Sequence, residues 1–144
     1  MRDTCKPYRI AMFNLLNGNL GGINVYDEKK KVGAADKVFV LLSTQQETQV
    51  EENDCSWITR SSIDLEIVAK SGSEVTKDTV DDLANLIIGL VLPTIQTSGL
   101  TAPSGFQFSG LVLEKTISRN ISLSETESIL TKILTFVTQI IEQS

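Results

Sequence analysis

Between Cys55 and Ser71 the chain reads CSWITRSSIDLEIVAKS, and alternate residues differ in kind. One set is Cys55, Trp57, Thr59, Ser61, Ile63, Leu65, Ile67 and Ala69. The other is Ser56, Ile58, Arg60, Ser62, Asp64, Glu66, Val68 and Lys70. A period of two is what a half-buried antiparallel strand requires, because successive side chains point to opposite faces. Roughly sixteen extended residues at about 3.3 Å each reach about 50 Å. A compact chain of this size has a diameter of about 40 Å, from a radius of gyration near 15 Å. The strand is therefore expected to outgrow the globule, as an arm that meets another molecule.

The flanking sequence supplies its partner. Val38-Phe39-Val40-Leu41-Leu42 is apolar on both faces, as in the middle of a covered sheet. From Ser43 the strand runs on as Thr44-Gln45-Gln46-Glu47-Thr48-Gln49-Val50, which suits β structure but has few core-forming side chains. Glu51 to Asp54 makes the turn, giving a hairpin whose wet ends coincide.

Elsewhere the pattern is helical or mixed. A first helix is predicted from Thr4 to about Leu20, capped by Thr4, with Pro7 in its first turn and Ile10, Phe13, Leu16 and Leu20 as the apolar stripe. Gly21-Gly22 stops it, and Ile23 to Tyr26 is a short strand. Ser71-Gly72-Ser73 breaks the sheet. Thr76 or Asp78 then caps a second helix burying Val80, Leu83, Ala84, Ile87 and Val91, with Asp81, Asp82 and Asn85 outward. Pro93 ends it, and Thr94 to Gly105 reads as a flexible loop, long enough to serve as a second contact surface. Phe106 to Asn120 is a strand, with Leu111, Leu113 and Ile117 on one face and Phe108 and Val112 on the other. The segment from Glu127 to Glu142 has a capping-box motif, Ser124-x-x-Glu127, yet it is dense in β-branched residues, which favours a strand. The sum is one α+β domain over residues 1–144: an antiparallel sheet with a long protruding β-hairpin and two helices packed on one face.

Several function classes are disfavoured. The sequence contains no histidine, which removes Ser-His-Asp and Cys-His catalysis and most zinc sites. Two distant cysteines, Cys5 and Cys55, are read as reduced thiols in a cytosolic setting, not as a disulfide framework. Asp81 and Asp82 diverge around a helix; Asp64 and Glu66 share a strand face, balanced by Arg60 and Lys70. No catalytic, cofactor-binding or metal-binding residues are assigned. A net charge of −5 opposes gripping nucleic acid by its phosphates, and the Lys29-Lys30-Lys31 run reads as a solvated turn. No apolar run approaches the ~20 residues of a membrane-spanning helix, and no secretory signal is expected.

The layout resembles one family. An early helix ending in Asn17-Gly18, the strand Val38 to Ser43 entering Gln/Thr-rich sequence, and Cys55-Ser56-Trp57 opening a strand that closes on Ile63-Asp64-Leu65-Glu66-Ile67-Val68 are similar to the tail terminator, or tail-completion (neck), proteins of tailed bacteriophages. The amphipathic helix Val80 to Leu92 and the ending Ile133-Leu134-Thr135-Phe136-Val137 extend the likeness over nearly the whole chain. The resemblance implies a structural virion subunit, assembled in the host cytoplasm. Such subunits close into a ring, typically a hexamer, that caps the tail tube and joins it to the head connector, with DNA passing through the lumen. Subunit and tube contacts are then expected at Gln45, Gln46, Glu47, Thr48, Gln49, Val50, Trp57, Ile58 and Arg60 on the arm, and at Thr97 and Leu100 in the loop. The alternative is a small ligand-binding or regulatory α+β domain of a bacterial protein; an enzyme using only carboxylates and lysines is the third reading.

Overall fold

A computed structural model describes residues 3–28, 32–33, 37–52, 56–70, 77–95, 97–122 and 128–143, without the side chains of 50–52, 56 and 143. The elements are α1 (Cys5–Leu16), β1 (Asn24–Tyr26), β2 (Val38–Glu52), β3 (Ser56–Lys70), α2 (Lys77–Val91), β4 (Phe106–Ser122) and β5 (Ser128–Gln143). The Lys29–Lys31 run, Asp54 and Cys55, the Ser71–Ser73 break, Thr76 and the Ser124–Glu127 motif lie outside the described residues.

The five strands form one sheet in the order β1-β2-β3-β5-β4. Every neighbouring pair is antiparallel except β1 with β2, which is parallel. The α+β class and the element order expected from sequence are both present. The hairpin itself is different. β3 pairs with β5 over its full length, from Ser56 opposite Gln143 to Lys70 opposite Ile129. So β2 and β3 are not a two-stranded arm: β5 and β4 extend beside them.

Both helices bury their apolar faces on one side of the sheet. For α2 the buried set is Val80, Leu83, Ala84, Ile87 and Val91, the predicted stripe. For α1 it is Pro7, Tyr8, Ala11, Met12 and Leu16, while Ile10 is 40% exposed. The fourfold spacing of 8, 12 and 16 wins because it carries the longest apolar reach, and α1 ends at Leu16 instead of Leu20. These side chains meet Val40, Leu42, Ile63, Leu65, Ile67, Leu134, Phe136 and Ile140 from the sheet in one core. On the opposite face, Phe39, Leu41 and Val68 gather Tyr26, Val32 and Ile129 into a smaller cluster. Apolar residues on both faces of Val38–Leu42 are thus accounted for.

β4 breaks the alternation read from its sequence. Register shifts lie between Ser109 and Val112 and between Leu113 and Lys115, and Gly110 sits at φ +66°, the conformation a bulge takes. With extra residues inserted, Phe108 joins Leu111 and Leu113 against the helix-side core. Ile117 turns to the other face, opposite Ile133. The predicted split of these residues is therefore corrected.

Candidate assembly surfaces

The residues singled out on β2 have two fates. Gln45 and Glu47 are occupied within the chain, both at the start of α1. Gln45 Nε2 donates to the Cys5 carbonyl at 2.8 Å, and its Oε1 accepts from Arg9 at 3.5 Å. The Glu47 carboxylate accepts from the Thr4 backbone N–H at 3.1 Å and from its hydroxyl at 2.6 Å. Thr4 is buried, its hydroxyl also 2.8 Å from that of Ser61, so it does not cap α1 with its own side chain as predicted. Asp3 performs that task by accepting from the Cys5 N–H at 2.9 Å, and this hydrogen bond lowers its pKa. A carboxylate at a helix N-terminus is also favoured by the dipole.

Asp3, Cys5 and Glu47 place their ligand-type atoms within 4.8 Å of one another. Two of the carboxylate oxygens are already engaged with backbone donors. Burial first, then the charges of Glu47 and Asp3, push the free Cys5 thiol up to about 11. The trio therefore acts as a polar anchor for α1. At pH 8 only on the order of one thiol in a thousand is ionised, so Cys5 should react with iodoacetamide far more slowly in the folded chain than in urea. Equal rates measured by mass spectrometry in a Cys55→Ser background would contradict that.

Gln46, Thr48 and Gln49 are exposed although they lie in a paired strand. Val50 has no described side chain. Trp57 and Ile58 are half-buried, on the helix side and the open side of the sheet respectively. Arg60 is exposed and pairs with Glu114 of β4 at 3.3 Å across the intervening β5, a contact of small energetic value. It does not balance Asp64, whose carboxylate instead accepts from Thr135 at 2.7 Å. Lys70 lies 5.5 Å from the centre of the Phe39 ring. Asp81 pairs with Lys132 at 2.7 Å while Asp82 faces solvent.

The loop after α2 is docked, not free. Gly99 N–H donates to the Val91 carbonyl at 2.9 Å, and Leu100 packs against the main core. Thr97 is exposed, its N–H and hydroxyl tied to the Thr94 hydroxyl. Of the two loop residues proposed as contacts, only Thr97 is presented outward. Phe106, where β4 begins after the loop, stands at the height of Trp57, since both lie opposite Glu142 of β5.

Sequence reasoning missed two features. One is the edge: among the described residues β4 ends the sheet, and β1 covers β2 from Phe39 to Leu41 and no further. The other is the open face, where Val112 and Ile121 are 52% and 51% exposed. A cleft of about 550 Å³ on that face is lined by Phe39, Leu41, Val68, Lys70, Ile121 and Ile129, among others. The β-branched density of the last segment hinted at the open face, since such residues appear on both its parities. No family model and no curated protein matches the chain. Among the described residues, no helix is long and apolar enough to cross a membrane.

Proposed function

We propose that this chain is a non-enzymatic virion subunit of a tailed bacteriophage, a tail terminator or neck protein that closes into a ring, with six copies as the first expectation. The observation that carries this reading is a sheet of long strands that, among the described residues, has both helices on one face and no strand beyond β4 or beside β2 past Leu41. A surface of that kind finds its remaining burial and backbone hydrogen bonds on other molecules. The ring would cap the tail tube, meet the head connector, and let DNA pass without binding it. A chain of net charge −5 suits that last role. Two of the carboxylates weighed for chemistry have structural occupations, Asp64 with Thr135 and Asp81 with Lys132, which supports a non-catalytic reading.

Light scattering and negative-stain microscopy of the purified chain, alone and with tube protein, should reveal rings. A strict monomer that binds neither tube nor connector would remove the reading. The cleft on the open face favours one alternative, a ligand-binding domain, since its volume and largely apolar lining, with Lys70 and Glu66 as the charged groups, suit a small, mostly apolar ligand. That alternative requires a ligand-dependent rise in melting temperature from a chain that stays monomeric.

A further inference from the structure

We infer that copies of this chain join by strand addition, the free part of β2 in one copy pairing antiparallel with the outer edge of β4 in the next. The inference rests on the ring reading and specifies its interface. Its first ground is topological. β2 and β4 lie on opposite sides of one sheet, and three successive antiparallel steps, β2 to β3, β3 to β5 and β5 to β4, leave them running in opposite directions. A copy related by rotation about an axis along the strands keeps its strand directions. Its β2 then meets the neighbour's β4 as an antiparallel pair, the more stable kind of ladder. One edge of each type per chain is the requirement for a head-to-tail contact that closes by rotation.

The second ground is where the edges are open. β1 covers β2 at Phe39–Leu41, so among the described residues no strand pairs with the outer side of β2 from Leu42 to Glu52. Following the register across the sheet, Gln46 is level with Val112 by way of Ser62 and Val137. Thr48 is level with Ser109 by way of Arg60 and Gln139. At the far end Phe39 is level with Arg119. The free part of β2 therefore stands at the height of the first half of β4.

The third ground is the absence of the usual protection. Natural edges are guarded by lysine, proline or inward charge. In β4 the charges begin at Glu114: Lys115 is level with Asp64, opposite the bulge between Leu42 and Gln45, and Arg119 is level with Phe39, whereas Phe106 to Leu113, level with Gln45 and the residues beyond it, carries neither charge nor proline. On the free part of β2 the charges are Glu47, which is turned to Thr4, and Glu51 and Glu52 at its far end, so the run from Ser43 to Gln49 presents no outward charge. Gln46, Thr48, Gln107 and Ser109 are all exposed. The bulges in both strands shorten each run of pairing and increase its twist, which suits closure into a finite ring over growth of a flat fibre.

Gln46→Lys and Gln107→Lys place a guard on each edge at exposed positions. Each should raise the concentration at which the chain assembles by roughly tenfold or more, with far-UV circular dichroism and melting temperature unchanged. Asn85→Lys, exposed on α2 away from both edges, should leave assembly as it is. Thr48→Cys with Ser109→Cys, in a Cys5→Ser, Cys55→Ser background, gives an independent reading. Within one chain these positions are three strand spacings apart, about 14 Å, beyond the reach of a disulfide. Oxidation should therefore yield covalent multimers, as should Gln46→Cys with Val112→Cys one step along the register. Rings that tolerate both lysines and never cross-link would overturn the strand pairing while leaving the ring reading in place. A wild-type chain that stays monomeric at every concentration would overturn both, and an equal effect of Asn85→Lys would show only non-specific charge repulsion and overturn the pairing alone.

Discussion

Tyr8→Ala should be among the most destabilising single changes in this chain, lowering the urea midpoint by the equivalent of about 3–5 kcal/mol. Tyr8 is fully buried and is the largest side chain in the core. It faces Phe108 of β4 at 5.8 Å between ring centres, tilted by 58°. Its hydroxyl donates to the Phe136 carbonyl of β5 at 3.0 Å, beside the point where β4 shifts register between Leu113 and Lys115. One residue of α1 thus ties the helix to two strands distant in sequence. Tyr8→Phe removes only the hydrogen bond and should cost about 1 kcal/mol. A near-equal loss for both variants would mean that the bond, not the packing, dominates.

The same residue sets an alkaline limit. Burial raises the Tyr8 pKa, so the folded state favours the neutral phenol more than the unfolded chain does. That contribution is fully present below the ordinary tyrosine value of about 10 and is lost progressively as pH rises above it. The midpoint of wild type should fall above pH 10 more steeply than that of Tyr8→Phe, which has no phenol to ionise at this position.

What could be read from the chain beforehand depended on whether the deciding interaction was local. The stripe of α2 is a property of fifteen consecutive residues, and it was legible in full. So was β5, because crowded β-branched side chains resist a helix whatever surrounds them. On α1 the expected Leu16 and Leu20 are buried and Phe13 packs against the core, but Ile10 is exposed and Tyr8 and Met12 take the inner face, a choice made by the sheet. The parity of β4 failed at its bulges, where Gly110 permits a backbone that alternation cannot register. Strand order was out of reach for the same reason: nothing within Ser128–Gln143 states that it lies between β3 and β4. Without a place for β5, the sequence predicts a solitary β2–β3 hairpin whose tip is an arm. Placing β5 beside β3 moves the unsatisfied backbone from that tip to the two outer edges. Of the residues chosen for contact, Gln46, Thr48, Gln49 and Thr97 keep outward side chains, whereas Gln45, Glu47 and Leu100 serve their own fold.

Gly99→Ala should destabilise the chain by about 2–3 kcal/mol through overpacking. A Cβ at Gly99 would lie 1.9 Å from the Leu90 carbonyl oxygen and 3.3 Å from the Leu15 side chain. The first neighbour is helix backbone, which cannot swing aside as a side-chain tip would. Gly99 is pressed there because its N–H satisfies the Val91 carbonyl, one of the acceptors that α2 leaves unpaired at its C-terminus. Gly89 supplies the contrast: it lies within α2 with open space around its Cα, so Gly89→Ala should stabilise by about 0.5–1 kcal/mol. Opposite signs for two identical chemical changes ten residues apart would locate the effect in the close approach. The consequence extends to assembly. The loop held by Gly99 seats Leu100 on the core and, with Leu92, Thr97 and Ser98, flanks Phe108 to Leu111 on β4. Releasing it loosens the strand whose outer edge the next copy is inferred to use. Gly99→Ala should therefore weaken ring formation even at temperatures where the chain remains folded, and undiminished assembly of a destabilised Gly99→Ala chain would separate the loop from the edge.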